Sequence, residues 1–168
     1  MKKLRRSTKK NPSPNGARLV VRNAKLADIS GIKKLFEKVY PHDPYTRNEL
    51  RGQINRFPEG QFIAEYEGKI VGYCATFIIE ERLALQNHTW DEITGYGYAS
   101  RHNPDGDYLY GMDIIVDKEY RRMRIGQRFY NQRKKLCKYL RLSGIIFAGR
   151  MPGYRKKAKQ VSSPEEYV

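Results

Sequence analysis

Cysteine is scarce in this chain of 168 residues: only Cys74 and Cys137 are present, and they do not form a Cys-x-x-Cys pair. Two such distant thiols provide no disulfide framework, and they suit a reducing compartment. No run approaches 18 uncharged apolar residues, which excludes a transmembrane helix. The basic stretch after Met1 has no apolar segment behind it of the kind that a secretory signal needs. We therefore expect a cytoplasmic protein that does not enter the membrane.

Acidic residues are almost absent from two segments. Residues 1–10 carry six Lys/Arg and no acid, and residues 118–160 carry fifteen Lys/Arg against Glu119 alone, in a chain of net charge +15. Such asymmetry favours a polyanionic partner, which could be nucleic acid, a membrane surface or a phosphate-rich small molecule; the alternative is a solvated face with a loose tail. Residues 1–16 contain almost nothing apolar, so we predict a disordered basic arm there and one domain over residues 17–168.

Several common site motifs are also missing. The sequence has no P-loop, no His-Glu-x-x-His and no Cys/His cluster, and Gly95-Tyr96-Gly97 lacks the third glycine of a dinucleotide fingerprint. The three histidines lie far apart in sequence, so each is interpreted as a surface or loop residue rather than a base or a ligand: His42, His88 and His102.

Hydrophobic periodicity predicts a mixed α/β sheet. A strand, two helices and a β-hairpin are followed by an irregular stretch over Glu80–Gly106. Irregular stretches of this length inside a compact domain more often have a function than serve only as a connection. Its aromatic residues Trp90, Tyr96 and Tyr98 are candidates for lining a pocket or for core packing. The predicted elements are Arg18–Asn23, a helix capped by Asp28, a helix with a Thr46/Glu49 capping box, strands Gln61–Tyr66 and Lys69–Ile79, strand Tyr108–Val116, helix Ile125–Arg141 and strand Ser143–Ala148.

The segment Met112–Tyr130 runs from an apolar strand through a basic turn into a helix. Backbone N–H groups of the turn and of the helix N-terminus should converge there, and the helix dipole adds positive charge. Gly126 would let a ligand approach the backbone closely. Arginine side chains with forked donors would surround the spot, which predicts a pyrophosphate site: Arg121, Arg122, Arg124 and Arg128.

On these residues the sequence resembles the GNAT acyltransferase superfamily, whose signature is Arg/Gln-x-x-Gly-x-Gly/Ala. Arg121 and Gly126 match its first and last positions, and Arg124 replaces the middle glycine. The order of elements over residues 18–149 also matches. The resemblance is closest to the GNAT module that precedes a carbon–nitrogen hydrolase domain, on residues 52–60, 98–100, 105–107 and 124–128.

The resemblance implies an N-acetyltransferase that moves an acetyl group from acetyl-CoA to a primary amine by direct attack in a ternary complex, without a metal. A backbone N–H of strand Tyr108–Val116 would polarise the thioester carbonyl. Candidate bases are Asp113 and, through water, Tyr110, with a salt bridge and simple packing as their alternatives. The implied CoA-binding residues are Ile114, Ile115, Val116, Arg121, Arg122, Met123, Arg124, Ile125, Gly126 and Gln127.

GNAT domains normally continue past the last predicted strand with a helix and two strands, and Ser163–Tyr167 looks like a helix start. The resemblance therefore implies a fold that lacks its C-terminal part and that transfers acetyl groups poorly. It also implies self-association through an open sheet edge and a possible C-terminal carbon–nitrogen hydrolase domain. Two alternatives remain: a catalytically idle CoA-binding module, and a basic nucleic-acid-binding domain, which the absence of any nucleic-acid motif disfavours. The acceptor amine is not readable from the sequence.

Overall fold

A computed structural model describes residues 18–149 and 153–163, so the predicted arm over residues 1–16 lies outside the described residues, as does most of Ser163–Tyr167. The described chain is a mixed α/β fold, as the sequence predicts. Its elements are β1 (Leu19–Asn23), α1 (Ile29–Val39), α2 (Arg47–Arg56), β2 (Phe62–Tyr66), β3 (Lys69–Ile79), α3 (Glu81–Leu85), α4 (Trp90–Thr94), β4 (Tyr108–Val116), α5 (Ile125–Tyr139), β5 (Gly144–Phe147) and α6 (Tyr154–Lys157).

The five strands form one sheet in the order β1-β2-β3-β4-β5. The first four strands are antiparallel, and β5 runs parallel to β4. β5 pairs only with Tyr108–Gly111. Along the second half of β4, Met112–Val116, no strand of the described residues pairs on that side. Because an unpaired strand edge presents free N–H and C=O groups, this half of β4 can accept an extended ligand.

Helices cover both faces of the sheet, and their starts follow local signals. α1 buries Ile29, Ile32 and Phe36 against the sheet, on the face that the 3.6-residue period predicts. α2 begins at the predicted capping box, in which the Glu49 N–H donates to Thr46 Oγ1 at 3.2 Å. On the other face, α5 packs Ile125 and Phe129 into a second cluster with β2 and β3 residues: Phe62, Ala64, Val71 and Cys74.

A β-bulge interrupts the pairing of β3 with β4. Ala75 pairs with Asp113 and Thr76 with Gly111, which leaves Met112 as the extra residue. Met112 belongs to the core cluster on the α1 side, and Asp113 receives a hydrogen bond from a tyrosine of that same cluster. The bulge therefore turns two consecutive side chains toward one face, where Tyr110 also packs.

The irregular stretch between β3 and β4 contains α3 and α4 and is tied to its surroundings. Gln53 Nε2 donates to Gly97 O at 2.6 Å, and the Ile78 N–H donates to His102 Nδ1 at 3.1 Å. Burial lowers the pKa of His102, which stacks on Phe57 with ring centroids 4.7 Å apart. Of the helices in the described parts of the chain, none is long and apolar enough to cross a bilayer.

Candidate functional site

The basic loop after β4 forms a tight corner. The backbone turns through a 3₁₀ segment, Lys118–Met123, and Arg124 then adopts φ 57° and ψ 31° before α5 begins. The first helical hydrogen bond of α5 runs from the Arg128 N–H to Arg124 O at 3.1 Å. No side chain of the described residues caps this helix at Arg124. The first N–H groups of α5 are therefore left without a side-chain acceptor.

A cleft of about 290 Å³ lies beside this corner. It is bounded by the C-terminal end of α1, the second half of β4, the basic loop and the start of α5. Five of the implied CoA-binding residues line it. A Cβ placed on Gly126 would meet no atom of the described residues within 4 Å, so this backbone faces open space. The lining residues are Val39, Tyr40, Ile114, Ile115, Val116, Arg121 and Gly126.

The other implied CoA-binding residues divide into two groups. Arg122, Arg124 and Gln127 are exposed, and Gln127 Nε2 donates to Asn131 Oδ1 at 3.3 Å. The side chains of Ile125 and Met123 instead pack into the hydrophobic cluster between α5 and the sheet. Because the side chain of Ile125 is fully buried, a ligand in the cleft could meet Ile125 only at the backbone.

Asp117, the residue that follows β4, anchors the loop. Its buried carboxylate accepts hydrogen bonds from the Glu119 N–H at 3.2 Å and from Lys38 Nζ of α1 at 2.9 Å. Burial would raise the pKa of Asp117, but the Lys38 and Glu119 hydrogen bonds and the charges of Lys38 and Lys69 outweigh it, so this pKa lies below its ordinary value. The carboxylate is thus ionised at neutral pH and joins the loop to α1.

The left-handed conformation of Arg124 carries a steric cost of about 1–2 kcal/mol for a residue with a Cβ. Glycine avoids that clash, but it also raises the conformational entropy of the unfolded chain. With both effects counted, we expect Arg124→Gly to raise the free energy of unfolding, measured in urea, by about 0.5–1 kcal/mol. Arg128→Gly is the matched control. It makes the same change inside α5, where glycine should cost about 1 kcal/mol. A destabilised Arg124→Gly protein would contradict the prediction.

The β4 bulge is held by side chains from both faces of the sheet. From α4, Trp90 Nε1 donates to Met112 O at 3.4 Å. From α5, Arg133 Nη2 donates to Ala75 O at 2.9 Å and to Asp113 O at 2.8 Å. Arg133 is only 2% exposed, and its Nε has no hydrogen-bond partner within the described part of the chain. Three carbonyl groups around the bulge are therefore fixed by two donors: Trp90, a predicted pocket candidate, and Arg133, to which the sequence analysis assigned no role.

Asp113 lies half-buried on the face that also carries Tyr110. The hydroxyl of Tyr45 donates to Asp113 Oδ2 at a long 3.5 Å. Burial and the Asp113 charge raise the pKa of Tyr45 well above its ordinary value, so Tyr45 remains a protonated donor. Its ring also packs against Trp90, with centroids 5.9 Å apart. Asp113, one of the two candidate bases, is thus linked through Tyr45 to Trp90, which contacts the bulge.

Tyr110, the other candidate, contacts a histidine that the sequence analysis interpreted as a surface or loop residue. His88 Nε2 lies 3.1 Å from the Tyr110 hydroxyl, and His88 Nδ1 lies 2.6 Å from Gln86 O. Of the three aromatic pocket candidates, Trp90 reaches β4, whereas Tyr96 is 70% exposed and Tyr98 is half-buried. The side chains gathered along Tyr110–Asp113 come from elements that lie far apart in the sequence.

The family model for the acetyltransferase (GNAT) family matches residues 29–158 of this chain. The chain belongs to the GNAT acetyltransferase family. Its fold is therefore that of an acetyltransferase-family domain, as the resemblance implies.

Two curated relatives come from Bacillus subtilis (strain 168). A "Probable hydrolase YhcX" is 42% identical over 152 residues, which cover 90% of this chain and 29% of that protein. An "Uncharacterized N-acetyltransferase YkwB" is 32% identical over 151 residues, which cover 86% of this chain and 66% of that protein. The chain thus spans less than a third of the first relative and about two thirds of the second.

Among solved structures, the fold is similar to that of the GphF GNAT-like decarboxylase in complex with isobutyryl-CoA. The TM-score is 0.69 at 21% identity, over 89% of this chain and 75% of that one. At this identity the likeness concerns the fold.

Proposed function

We propose that this domain is an acetyl-CoA-dependent N-acetyltransferase that acts on a primary amine. The observation that carries the proposal is the cleft in which Gly126 and Arg121 meet the unpaired edge of β4. A diphosphate fits the N-terminus of α5, because uncapped N–H groups and the helix dipole attract an anion there. The complex of the GNAT-like decarboxylase with an acyl-CoA supports an acyl-CoA as the donor.

The unpaired edge of β4 fits the extended arm of CoA. Ile114–Val116 line the cleft, and on the side away from β3 they have no strand of the described residues beside them, so amide groups of the pantetheine can pair with them there. The arm would lead from the basic loop toward the bulge at Met112. A backbone N–H there would polarise the thioester carbonyl and stabilise the developing oxyanion.

The acceptor must lose a proton, since an alkylamine has a pKa of about 10.4 and attacks only as the free base. Asp113 and Tyr110 lie on the face of β4 that the irregular stretch covers, and either could receive that proton, directly or through water. The amine nitrogen then attacks the carbonyl carbon and the C–S bond breaks. The proton that the new amide nitrogen loses goes to the departing thiolate, which leaves as the CoA thiol. Asp113 and Tyr110 are the residues that we assign to this step.

The test is acetyl-CoA turnover by the whole chain, followed as release of the CoA thiol over a panel of polyamines, amino acids and lysine peptides. We expect acceptor-dependent release that Asp113→Asn lowers by about 10²–10⁴-fold if Asp113 is the base. Asp105→Asn is the matched control, because it removes an exposed carboxylate in the turn before β4, away from the cleft. Thiol release that does not depend on any acceptor would contradict the assignment.

A CoA-binding module without transfer activity is the second candidate. It is favoured by the relative named as a probable hydrolase, of which this chain spans only 29%. Such a module would show a raised melting midpoint with CoA, because a ligand that binds only the folded state stabilises it, but no turnover with any amine. The same samples thus distinguish the two candidates.

A further inference from the structure

The contacts of His88 determine which of its nitrogens carries the proton. A backbone carbonyl can only accept a hydrogen bond, so the 2.6 Å contact with Gln86 O requires a proton on His88 Nδ1. In the neutral ring, Nε2 then presents a lone pair, and the Tyr110 hydroxyl 3.1 Å away must be the donor. The direction of both hydrogen bonds follows from the Gln86 carbonyl.

The surroundings of Tyr110 keep its phenol neutral. The residue is 2% exposed, and its ring packs against Phe77 with centroids 5.1 Å apart and edge-on to His88 at 5.9 Å. Burial raises the pKa of Tyr110. The Tyr110 phenol is therefore neutral, and its proton points at a basic nitrogen. Such a phenol is suited to transfer a proton between two groups rather than to remain ionised.

The pair is also placed beside the proposed reaction centre. His88 and Trp90 lie two residues apart on one segment, and they contact Tyr110 and Met112, which lie two residues apart on β4. The segment therefore runs along β4 from the tyrosine to the bulge. Because a Tyr110 oxygen that donates to His88 retains lone pairs, it can accept a hydrogen bond from an attacking amine.

We propose that Tyr110 and His88 act as a proton relay in the acetyl transfer proposed above, on which this inference rests. As the amine nitrogen bonds to the thioester carbonyl carbon, its proton passes to Tyr110 Oη, and the Tyr110 proton passes to His88 Nε2. The C–S bond then breaks, and its electron pair leaves with sulfur. The imidazolium proton returns through Tyr110 to that thiolate, which restores both residues and releases CoA as the free thiol.

In this relay the Tyr110 hydroxyl and the His88 imidazole depend on each other, so the loss of either should stop proton transfer. We expect Tyr110→Phe to lower kcat by about 10²–10⁴-fold, with little change in the KM for acetyl-CoA, because the ring packing is retained and only the hydroxyl is lost. His88→Gln should lower kcat by a similar factor, since an amide can bind Tyr110 but cannot take its proton. The double variant should be no slower than the slower single variant.

Two controls separate catalysis from structure. His42→Gln removes an exposed histidine elsewhere and should leave kcat unchanged. His88→Ala should regain part of its activity when imidazole is added, which a purely structural role would not allow. Nitrogen-15 NMR of the neutral His88 ring should show the proton on Nδ1.

Three outcomes would overturn the relay alone: a His88→Gln or Tyr110→Phe enzyme that retains more than a third of wild-type kcat, losses that multiply in the double variant, or a neutral ring protonated on Nε2. Absence of turnover by the wild-type chain, with every amine tested, would instead overturn the proposed transferase function and the relay together. The two failures are therefore distinguishable.

Discussion

Replacing Gly126 with valine should weaken CoA binding by about 10–100-fold, or about 1.4–2.8 kcal/mol, while the fold stays intact. The backbone at Gly126 lines the cleft, and a Cβ there would meet no described atom within 4 Å. A valine side chain can therefore enter the cleft without a clash inside the protein. It would occupy the space in which the proposed diphosphate approaches the N–H groups of α5.

Calorimetric titration with CoA and thermal melting without ligand provide the two measurements. Gly126→Ala should give an intermediate loss of affinity, because its side chain is smaller. Tyr139→Val places the same β-branched side chain at an exposed position at the C-terminal end of α5 and should leave CoA affinity unchanged. If Gly126→Val bound CoA as tightly as the wild type, the diphosphate site would have to lie elsewhere.

Local signals were sufficient to predict much of the fold. β4 runs over Tyr108–Val116 as predicted, and α5 begins at the predicted Ile125. The Thr46/Glu49 capping box is confirmed as well, and so is the pair of strands that become β2 and β3, with a two-residue turn between them. Each of these features depends on residues within a few positions of one another, so a single sequence contains the information. The predicted arm over residues 1–16 stays a prediction.

The candidate site depends on contacts between distant residues, which local patterns do not contain. Strict alternation along β4 would place Tyr110 and Asp113 on opposite faces. The bulge at Met112 brings them to one face, and it arises from the register with β3. His88 meets Tyr110 from 22 residues away, out of an irregular stretch without periodicity.

The buried position of Arg133 did have a signal in the sequence. Arg133 lies four residues after Phe129 and three before Leu136, which places it on the inward stripe of α5. The run of Lys and Arg residues around it instead favoured a basic surface for a polyanionic partner, so Arg133 was not predicted to be buried. The structure buries this one cation and leaves its basic neighbours Lys134 and Lys135 exposed.

Replacing Arg133 with methionine should destabilise the protein by about 2–4 kcal/mol. Two hydrogen bonds from the guanidinium to Ala75 O and Asp113 O would be lost, and hydrogen bonds from a charged donor contribute about 1.5–3 kcal/mol each. Removing a buried cation offsets part of that loss, because the cation no longer has to be desolvated. Methionine preserves most of the packing volume, so cavity formation contributes little.

The same substitution should lower acetyl transfer more than the loss of stability explains. Without Arg133, the carbonyl groups of Asp113 and of its β3 partner Ala75, next to the bulge, have no donor from α5, and the bulge can relax. An N–H aimed at the thioester carbonyl would then lose its fixed direction, and loss of one such donor typically lowers kcat by about 10²–10³-fold. We therefore expect a large fall in kcat at temperatures where the variant remains folded, with a much smaller change in CoA affinity, since the cleft lining is untouched.

Urea unfolding and steady-state kinetics on the same samples test this expectation. Lys134→Met is the matched control: it removes a neighbouring cation on the exposed side of α5 and should stay within about 0.5 kcal/mol of the wild type. Arg133→Lys distinguishes charge from geometry, because an ammonium keeps the positive charge on a side chain that lacks the planar guanidinium, whose Nη2 reaches both carbonyl groups. If Arg133→Met were as stable and as active as the wild type, the cost of burying the cation would balance its hydrogen bonds, and the bulge would be held by β3 and Trp90 alone.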